Sequence, residues 1–485
     1  MATGVPSKNG NSNGGVLDLA YPGKSSRQEI LSEPTNSTFK AAHNSPSMKR
    51  LYCGDNLAAL KSFMEDTAIR GKVELVYIDP PFATRGTFLS RKQDCAYDDD
   101  LCGAEYVESL RKRLFLIKEL LSPSGSIYLH LDETMIFHAK LIMDEVFGSS
   151  NYRNMIVRKK CNPKNYTRKA YGNTADFILF YTKTDQYTWN RPVEPLSEQS
   201  KKEYHYVDPE SGRRYMKVPL HAPGTRNGAT GGAWRGQLPP PGKHWQYTPK
   251  TLDAMDARGE IFWSKNGNPR RKVYLDEHSG VGIQDIWMEF RDAHNQNIHI
   301  TGYPTEKNPD LLRRIIQASS KPGDLVLDCY AGSGTTLAVA DELQRHWIGI
   351  DRSVEAISTI LKRCACGLIP MGDYVEKPCP STTLVSQPSL FDSFDENPMK
   401  LKPKGYPAHT PITDFSIYIE SNAPAEIPTI VQQWIQQNYV TPADQVLAVS
   451  ESSSPIFTYR ATESCQTTST KRTRPTKPHR IKASE

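Results

Sequence analysis

Residues 325–336 have the sequence LVLDCYAGSGTT, and this stretch decides the fold. The apolar run that ends in Asp328 predicts a buried strand, and the stretch 337–343 that follows the motif has a helical pattern. Gly332 and Gly334 let the backbone turn sharply and approach a ligand, while the helix N-terminus offers free amides to a polar or anionic group. The stretch therefore predicts a strand, a tight glycine loop and a helix, with the loop as a cofactor cradle.

The residues around the loop narrow the class of cofactor. Leu337 stands where the dinucleotide fingerprint has its third glycine, which argues against NAD and FAD, and the lysine of a phosphate P-loop is absent. A second short strand, 347–350, is followed by Asp351, roughly 20 residues after the glycines, where an acid can accept hydrogen bonds from ribose hydroxyls. A lone GxG is weak evidence, but this spacing favours a nucleoside cofactor.

A second motif, Asp79-Pro80-Pro81-Phe82, follows the apolar run 73–78. Two consecutive prolines force an extended backbone without amide donors, which leaves carbonyl acceptors free beside a carboxylate and an aromatic ring. Such a cluster suits a planar base that bears an exocyclic amine. Taken alone, the motif is equally compatible with a strand that ends in a proline turn.

Together the motifs resemble those of the DNA amino-methyltransferases, which use S-adenosylmethionine. DPPF precedes the glycine loop, and this order resembles the beta class, best known for methylation of adenine N6 and also of cytosine N4. One departure is Glu306, where many relatives have Gln. The resemblance spans residues 48–367 and includes the further blocks YCGDN at 52–56, GSIYLHLD at 125–132, WRG at 234–236, HW at 244–245 and GYPTEK at 302–307.

The resemblance implies an α/β fold, a doubly wound Rossmann-like methyltransferase sheet with an inserted target-recognition region. Ligands of such sheets sit at the carboxyl ends of the strands, and the resemblance adds that the strand before DPPF lies beside the strand before the glycine loop. Asp79 and the Pro80 carbonyl would each accept one hydrogen of the target amine, and Phe82 would stack on the base. The residues implied for cofactor binding are Asp55, Lys307, Asp328, Ala331, Gly332, Gly334, Thr335 and Asp351.

The sequence leaves alternatives open, both for single residues and for the class of protein. Asp55 lies in a Gly-Asp-Asn triplet, where a turn residue is the plain interpretation. Glutamine and RNA amino-methyltransferases use related motifs, typically NPPY after the glycine loop, whereas this chain has Asp79 and the reverse order. A DNA-binding protein with an inactive methyltransferase fold is the non-enzymatic alternative.

Composition agrees with an enzyme that acts inside the cell. The chain has 485 residues, 38% of them hydrophobic, and a formal charge of +6. No run approaches the ~18 apolar residues of a membrane span and the N-terminus lacks an apolar signal core, so we expect a cytoplasmic protein without membrane contact. The nine cysteines lack the spacing of a zinc site, so we expect no metal.

Basic residues concentrate in one segment. From Asn151 to Ala175 there are seven Lys or Arg and no Asp or Glu, and tyrosines interleave with the charges. A solvated basic face would explain this in most proteins, but the pattern is also expected where DNA phosphates are neutralised. The residues expected to contact double-stranded DNA are Arg158, Lys159 and Lys160, together with Arg226 and Arg235.

Pattern and composition divide the chain into five segments. Residues 1–47 are rich in Gly, Ser, Asn and Pro and indicate a disordered arm. Residues 48–184 and 286–370 indicate the catalytic and the cofactor-binding halves of one domain. Residues 185–285 are long and unpatterned, which in a compact domain usually marks a functional insertion, here for target recognition. Residues 371–485 indicate an accessory region with a basic tail.

The function that these features favour is methyl transfer from S-adenosylmethionine to adenine N6 in double-stranded DNA, with the target base flipped out of the helix. Methylation of cytosine N4 is the alternative within the same chemistry. The sequence leaves open whether a restriction endonuclease is a partner and whether the protein is a homodimer.

Overall fold

The structure, a computed structural model, describes residues 19–35, 37–81, 87–89, 95–98, 103–162, 169–277, 280–291, 303, 306–366 and 411–439. The chain up to Ile435 forms one compact unit. A second unit begins at Gln436, and only its residues 436–439 are described.

Strands and helices alternate through most of the described chain. The strands are β1 Phe39–His43, β2 Arg50–Cys53, β3 Val73–Ile78, β4 Thr87–Leu89, β5 Cys95–Asp98, β6 Leu121–Leu131, β7 Tyr152–Lys159, β8 Ala175–Thr182, β9 Val193–Glu194, β10 Tyr206–Val207, β11 Arg214–Pro219, β12 His221–Pro223, β13 Lys243–Trp245, β14 Ile261–Trp263, β15 Pro269–Tyr274, β16 Val281–Gly282, β17 Ile286–Trp287, β18 Leu325–Asp328, β19 His346–Asp351 and β20 Ser416–Glu420. The α-helices are α1 Arg27–Ser32, α2 Asn56–Phe63, α3 Gly103–Leu120, α4 Ile136–Phe147, α5 Glu198–Lys201, α6 Pro249–Ala257, α7 Pro309–Ser319, α8 Thr335–Glu342, α9 Val354–Cys366 and α10 Glu426–Tyr439.

One large sheet organises the molecule, with the strand order β1-β20-β2-β19-β18-β3-β6-β8-β7-β17. The six strands from β20 to β6 are parallel, whereas β8 runs antiparallel to both β6 and β7, and β1 is an antiparallel edge strand. Central parallel strands are covered on both faces and are therefore buried and mostly apolar. All six residues of β3 are buried, as this rule requires. The fold is the α/β fold that the sequence predicts.

Helices cover both faces of this sheet. Ile127 and Leu129 of β6 join the main core, to which α2, α3 and α4 also contribute. The intervening residue Tyr128 points to the opposite face, because successive side chains of a strand alternate. There its hydroxyl lies 2.8 Å from the Ser319 hydroxyl of α7, and α7 packs against α8.

The expectation of a disordered arm over residues 1–47 is wrong for the described part, residues 19–35 and 37–47. A capping box formed by Ser26 and Glu29 starts α1, whose Ile30 is buried. β1 then pairs with β20, with Phe39 opposite Glu420. Short apolar patches that look isolated in sequence here find partners far along the chain. Residues 1–18 lie outside the described part.

The C-terminal segment 371–485 is likewise not only an accessory region. Strand β20 lies inside the main sheet, between β1 and β2, and pairs in parallel with β2. Phe415, just before this strand, is fully buried against Trp347 of β19. The basic tail, residues 471–482, lies outside the described residues.

The predicted insertion 185–285 has a small core of its own. A four-stranded sheet in the order β10-β11-β15-β14 and the pair β12–β13 accompany helix α6. Trp234, Trp245 and Leu252 are buried at the centre of an apolar cluster. The strands have only two to six residues each, which is why the sequence shows no sustained period.

Candidate active site at the carboxyl ends of the central strands

The two sequence motifs meet at one edge of the sheet. β3 pairs in parallel with β18, with Val76 opposite Leu327, so Asp79 and Asp328 lie at the carboxyl ends of adjacent strands. β18 pairs in turn with β19, which ends at Asp351. The predicted neighbourhood of DPPF and the glycine loop is therefore confirmed, at the edge where ligands of such sheets bind.

The glycine loop adopts a conformation that requires glycine. Gly332 and Gly334 have φ values of +50° and +74°, in the left-handed region. A Cβ at Gly332 would lie 3.3 Å from the ring of Tyr303. α8 begins directly after Gly334 and no side chain caps it, so the amides of its first turn point toward the loop without a side-chain acceptor at the N-cap.

A carboxylate and a buried ion pair hold this loop. Asp351 accepts hydrogen bonds from the Gly332 amide at 2.8 Å and from the Ser353 amide at 2.9 Å. Behind the loop, the Arg363 guanidinium donates to the Ser333 carbonyl at 2.6 Å and also contacts Glu306. Glu306, the departure from the family pattern, thus supplies the counter-charge for a buried arginine.

Asp79 lies between a lysine and a histidine. The Lys307 ammonium contacts Asp79 Oδ2, and His130 Nδ1 lies 3.9 Å from Asp79 Oδ1. Asp79 Oδ1 is buried and accepts no hydrogen bond from the described residues. Lys307, predicted at the cofactor, is therefore in contact with the predicted catalytic carboxylate. Phe82 lies outside the described residues.

The neighbouring acids share a cluster of negative charge. Burial is the main reason why the pKa of Asp328 is raised to about 7; hydrogen bonds from Thr336 and the Tyr330 amide oppose this, and Asp79 and Asp351 add to it. Desolvation also raises the pKa of Asp351, although the backbone amides that it accepts act in the other direction. Asp79, Asp328 and Asp351 thus bring three carboxyl groups to adjacent strand ends, and Asp328 is partly protonated near neutral pH.

The structure shows Asp55 in the simpler of the two roles considered from sequence. Its Oδ1 accepts a hydrogen bond from the Ala58 amide at 3.0 Å and so caps α2, which is the plain turn role. Its Oδ2 lies 3.7 Å from Arg113 and remains part-exposed. Because Asp351 pairs with Cys53 across β19 and β2, Asp55 lies close to the end of β19.

Arg158 does not lie on a basic surface, and its prediction as a DNA contact is wrong for this conformation. Its guanidinium is fully buried, 2.9 Å from Asp176 and 2.6 Å from the Phe290 carbonyl. The alternation of β7 turns Arg158 inward, whereas Lys159 and Lys160 at the strand end stay part-exposed. A run of basic residues along a strand therefore cannot all face the same partner.

The two arginines predicted in the insertion differ from each other. Arg226 is exposed. Arg235 is half-exposed, has a φ of +50°, and pairs with Asp253 and Asp256 on α6. Arg226 is thus the more accessible of the two cations, and Arg235 forms ion pairs with acidic residues of the protein itself.

Sequence reasoning overlooked His130, Tyr77 and Asp176, which extend from Asp79 into the sheet. His130 stands in the quoted block 125–132 and has no role in the sequence assignment. The signal that could have found it is its place at the end of β6, level with Asp79 on β3.

Two further observations concern the described residues as a set. None of their helices is both long enough and apolar enough to cross a membrane. Among those same residues, no group of three or more His, Cys, Asp or Glu side chains is arranged to hold a metal ion.

The fold and the site define an α/β enzyme with a nucleoside-cofactor loop and a carboxylate at adjacent strand ends. Residues 73–362 match the family described as DNA methylase, and the chain belongs to this family. The protein is therefore a DNA methyltransferase, and enzymes of this kind take the methyl group from S-adenosylmethionine.

Relatives and solved structures give the extent of the similarity. Type II methyltransferase M.EcaI of Enterobacter cloacae is 45% identical over 415 residues, which cover 84% of this chain and 88% of that protein. The type III restriction-modification enzyme StyLTI Mod subunit of Salmonella typhimurium is 26% identical and covers 65% of this chain and 52% of its own length. The crystal structure of an M1.HpyAVI–SAM complex is 16% identical with a TM-score of 0.36, over 65% of this chain and 98% of that one.

The residues present fit S-adenosylmethionine. A Cβ at Gly332 would lie within 3.3 Å of the Tyr303 ring, and the N-terminus of α8 has no side-chain cap. Asp351 accepts backbone amides on both oxygens, and a carboxylate has about four acceptor positions, so a lone pair is left for a hydroxyl group. A cluster of carboxylates at the strand ends suits a cofactor that carries a sulfonium charge.

Proposed function

We propose that this protein methylates adenine N6 in double-stranded DNA at a specific sequence, with S-adenosylmethionine as the methyl donor. The observation that carries the proposal is the buried Oδ1 of Asp79, which accepts no hydrogen bond from the described residues and lies at the strand end beside the glycine loop. A buried acceptor of this kind is costly unless a ligand supplies the donor. An exocyclic amine is such a donor.

The chemistry needs the amine lone pair to leave conjugation with the base. Asp79 Oδ1 and the Pro80 carbonyl are the acceptors that would take the two amine hydrogens, which turns the lone pair out of the ring system. Asp79 ionised gives a charge-assisted hydrogen bond, stronger than a neutral one. As the nitrogen–methyl bond forms, the nitrogen gains positive charge, and Asp79 is the base that would accept the proton it loses.

Lys307 would keep the second oxygen of Asp79 occupied, so that only Oδ1 is offered to the amine. Positioning of this kind supplies most of the rate in such a site, and good orientation is worth about 7 to 11 kcal/mol of the barrier. Phe82, which lies outside the described residues, would stack on the base.

The cofactor would be held by the three strand ends. Asp328, Ala331, Gly332, Gly334 and Thr335 would form its cradle, Asp351 would accept its ribose hydroxyls, and Asp55 would accept its adenine amine. When bound, the cofactor supplies an activated methyl group on a positively charged sulfur. No further activating group is needed from the protein.

The target base has to leave the helix, because duplex DNA hides the amine within the base stack. Flipping costs a few kcal/mol, which stacking and hydrogen bonds in the pocket offset. The insertion 185–285 would choose the sequence, with Arg226 as a reader of base edges, and Lys159 and Lys160 would hold phosphates.

Adenine is favoured over cytosine by the first residue of the motif. In the families that this chain resembles, Asp before PP(Y/F) goes mostly with adenine, whereas cytosine-N4 enzymes more often carry Ser.

M.EcaI is by name a type II methyltransferase, and StyLTI Mod is a subunit of a restriction-modification enzyme. A restriction endonuclease of the same specificity is therefore the partner we propose, and a homodimer is the assembly to be tested by light scattering.

The test is chemical identification of the product. Purified protein is incubated with labelled S-adenosylmethionine and unmethylated DNA, and the DNA is digested to nucleosides. We expect the label in N6-methyl-2′-deoxyadenosine. Label in N4-methyl-2′-deoxycytidine would show that the target base is cytosine and would leave the proposed mechanism unchanged. Label only in protein or RNA would refute DNA as the substrate.

A further inference from the structure

A line of buried polar side chains runs from Asp79 into the sheet. The Tyr77 hydroxyl lies 2.8 Å from His130 Nδ1, and His130 Nε2 lies 3.1 Å from Asp176 Oδ2. Asp176 Oδ2 in turn accepts a hydrogen bond from Arg158 at 2.9 Å. His130 and Arg158 are fully buried, and Asp176 is 4% exposed.

Strand register brings these groups together on one face. β3 and β6 pair in parallel with Tyr77 opposite Tyr128, so two residues further on Asp79 is level with His130. β6 and β8 pair with His130 opposite Ile178, two residues from Asp176 on the same face. Arg158 is directly opposite Asp176 across β7 and β8.

Burial of such a line of polar side chains costs free energy. Buried ion pairs lose hydration and are often no more stabilising than apolar residues of the same size. Burial alone would raise the pKa of Asp176, but His130, Arg158 and Lys307 together lower it well below its usual range, so it stays a carboxylate. One end of the line lies beside the Asp79 carboxylate, which points to a role in the site.

The contacts also set the state of the imidazole. A carboxylate only accepts, so the approach of Asp176 to 3.1 Å favours a proton on Nε2 of His130, although this contact does not have the angles of a hydrogen bond. Burial raises the pKa of Tyr77 well above its usual value, so its hydroxyl keeps a proton to donate to Nδ1. Nδ1 is then occupied by Tyr77, and it lies 3.9 Å from Asp79 Oδ1, in contact range but beyond a hydrogen bond.

We propose that His130 is a positioning residue for methyl transfer, held by Asp176 and Arg158 so that its ring fixes the orientation of the Asp79 carboxylate. Lys307 holds Oδ2 and the imidazole edge lies beside Oδ1, so Oδ1 is presented as an acceptor while the histidine leaves it free of a competing hydrogen bond. This inference rests on the proposed function, in which Oδ1 receives the target amine.

The experiment compares His130→Gln, His130→Ala and Asp176→Asn with the wild type, with unmethylated genomic DNA as substrate. Gln can still reach Asp176 with its amide, whereas Ala cannot. We expect kcat to fall by about 10-fold to 100-fold in His130→Ala and Asp176→Asn, and less in His130→Gln, because small misplacements of a reacting group are costly. The affinity for S-adenosylmethionine, measured by calorimetry, and KM for DNA should change by less than about twofold.

The exposed His138 on α4 offers a matched control, because His138→Gln makes the same change away from the site. The double variant His130→Gln/Asp176→Asn should be little worse than Asp176→Asn alone, since both changes break one line of contacts. If Ala at 130 prevents folding, Gln at 130 and Asn at 176 still decide the question.

Two outcomes would overturn the inference. Unchanged kcat in all three variants would show that His130 does not affect the reaction. A parallel loss of kcat, cofactor affinity and thermal stability would show a purely structural role. A wild-type protein that methylates neither base of DNA would instead refute the proposed function, and this inference with it.

Discussion

The Lys307 ammonium contacts Oδ2 of Asp79, although 228 residues separate the two in sequence. This contact joins a residue two positions before α7 to the residue that follows β3. The same short segment contains Glu306, whose partner Arg363 holds the glycine loop. The Asp79 carboxylate and the glycine loop are therefore connected to two consecutive residues, Lys307 directly and Glu306 through Arg363.

Replacement of the carboxylate should separate chemistry from cofactor binding. We expect Asp79→Ala to abolish methyl transfer while S-adenosylmethionine still binds with nearly wild-type affinity, because in the proposed mechanism Asp79 accepts the target amine and the glycine loop holds the cofactor. Product assays and calorimetry measure the two properties. Asp79→Asn keeps the size of the side chain and removes its charge, and it should be almost as inactive. A variant at this position with a large share of wild-type activity would refute the assigned role.

Replacement of Gly332 should have the opposite effect. Gly332→Val forces a branched side chain into a φ of +50° and against Tyr303, so cofactor binding should be lost. Gly323→Val is the control, because Gly323 also has a positive φ of +87° but has open space around a Cβ. Both variants should lose stability by about 1 kcal/mol or more from backbone strain. Only the change at Gly332 should remove cofactor affinity; equal affinity in both variants would contradict the cradle.

Asp328 predicts a pH dependence of stability. Its pKa is about 7 in the folded protein against an ordinary value of 3.8, so between these values the folded state holds a proton that the unfolded chain has released. Unfolding free energy therefore falls as pH rises through this window. Asp328→Asn removes the titrating group and keeps an acceptor for the Tyr330 amide.

We expect the melting temperature of Asp328→Asn, relative to the wild type, to be higher at pH 8 than at pH 5. The exposed Asp185 supplies the control, since Asp185→Asn should give the same small difference at both pH values. A relative melting temperature for Asp328→Asn that does not change with pH would mean that Asp328 is ionised throughout.

Deletion of residues 1–45 should destabilise the protein. The deletion removes β1 from the edge of the sheet and α1 from α3, together with the hydrogen bond between Tyr21 and Glu108 at 2.6 Å. We expect the melting temperature to fall by at least about 5 °C, as loss of several kcal/mol implies. Deletion of residues 1–18, which removes none of the described chain, is the control. An equal melting temperature for both truncations would show that α1 and β1 contribute nothing.

The centre of the fold was predictable from sequence and its edges were not. β3 and β18 are buried, mostly apolar strands, and a recognisable motif stands at the end of each, so their adjacency and the place of Asp79 follow from pattern and resemblance. β1 and β20 are five-residue strands that pair across most of the chain, and no local pattern records a partner at such a distance.

Burial of charge was the other feature that sequence concealed. Arg158 belongs to a run of basic residues, and only the pairing of β7 with β8 shows that Asp176 lies opposite it. Similarly, Trp234 and Trp245 stand in a segment of very short strands, where periodicity cannot reveal that they form a core. In both cases the deciding contact lies between strands rather than along one.

The position of β20 between β1 and β2 has a consequence for synthesis on the ribosome. Among the described strands β1 emerges first, and the strand that it pairs with, β20, ends at Glu420. At roughly 5 to 20 residues per second, β1 waits some tens of seconds before that neighbour is translated. Until then the edge of β2 is unpaired and open to other chains. β1 is thus made early but paired late. A nascent chain stalled before residue 416 would lack β20, so β1 could not join the sheet beside β2 through it.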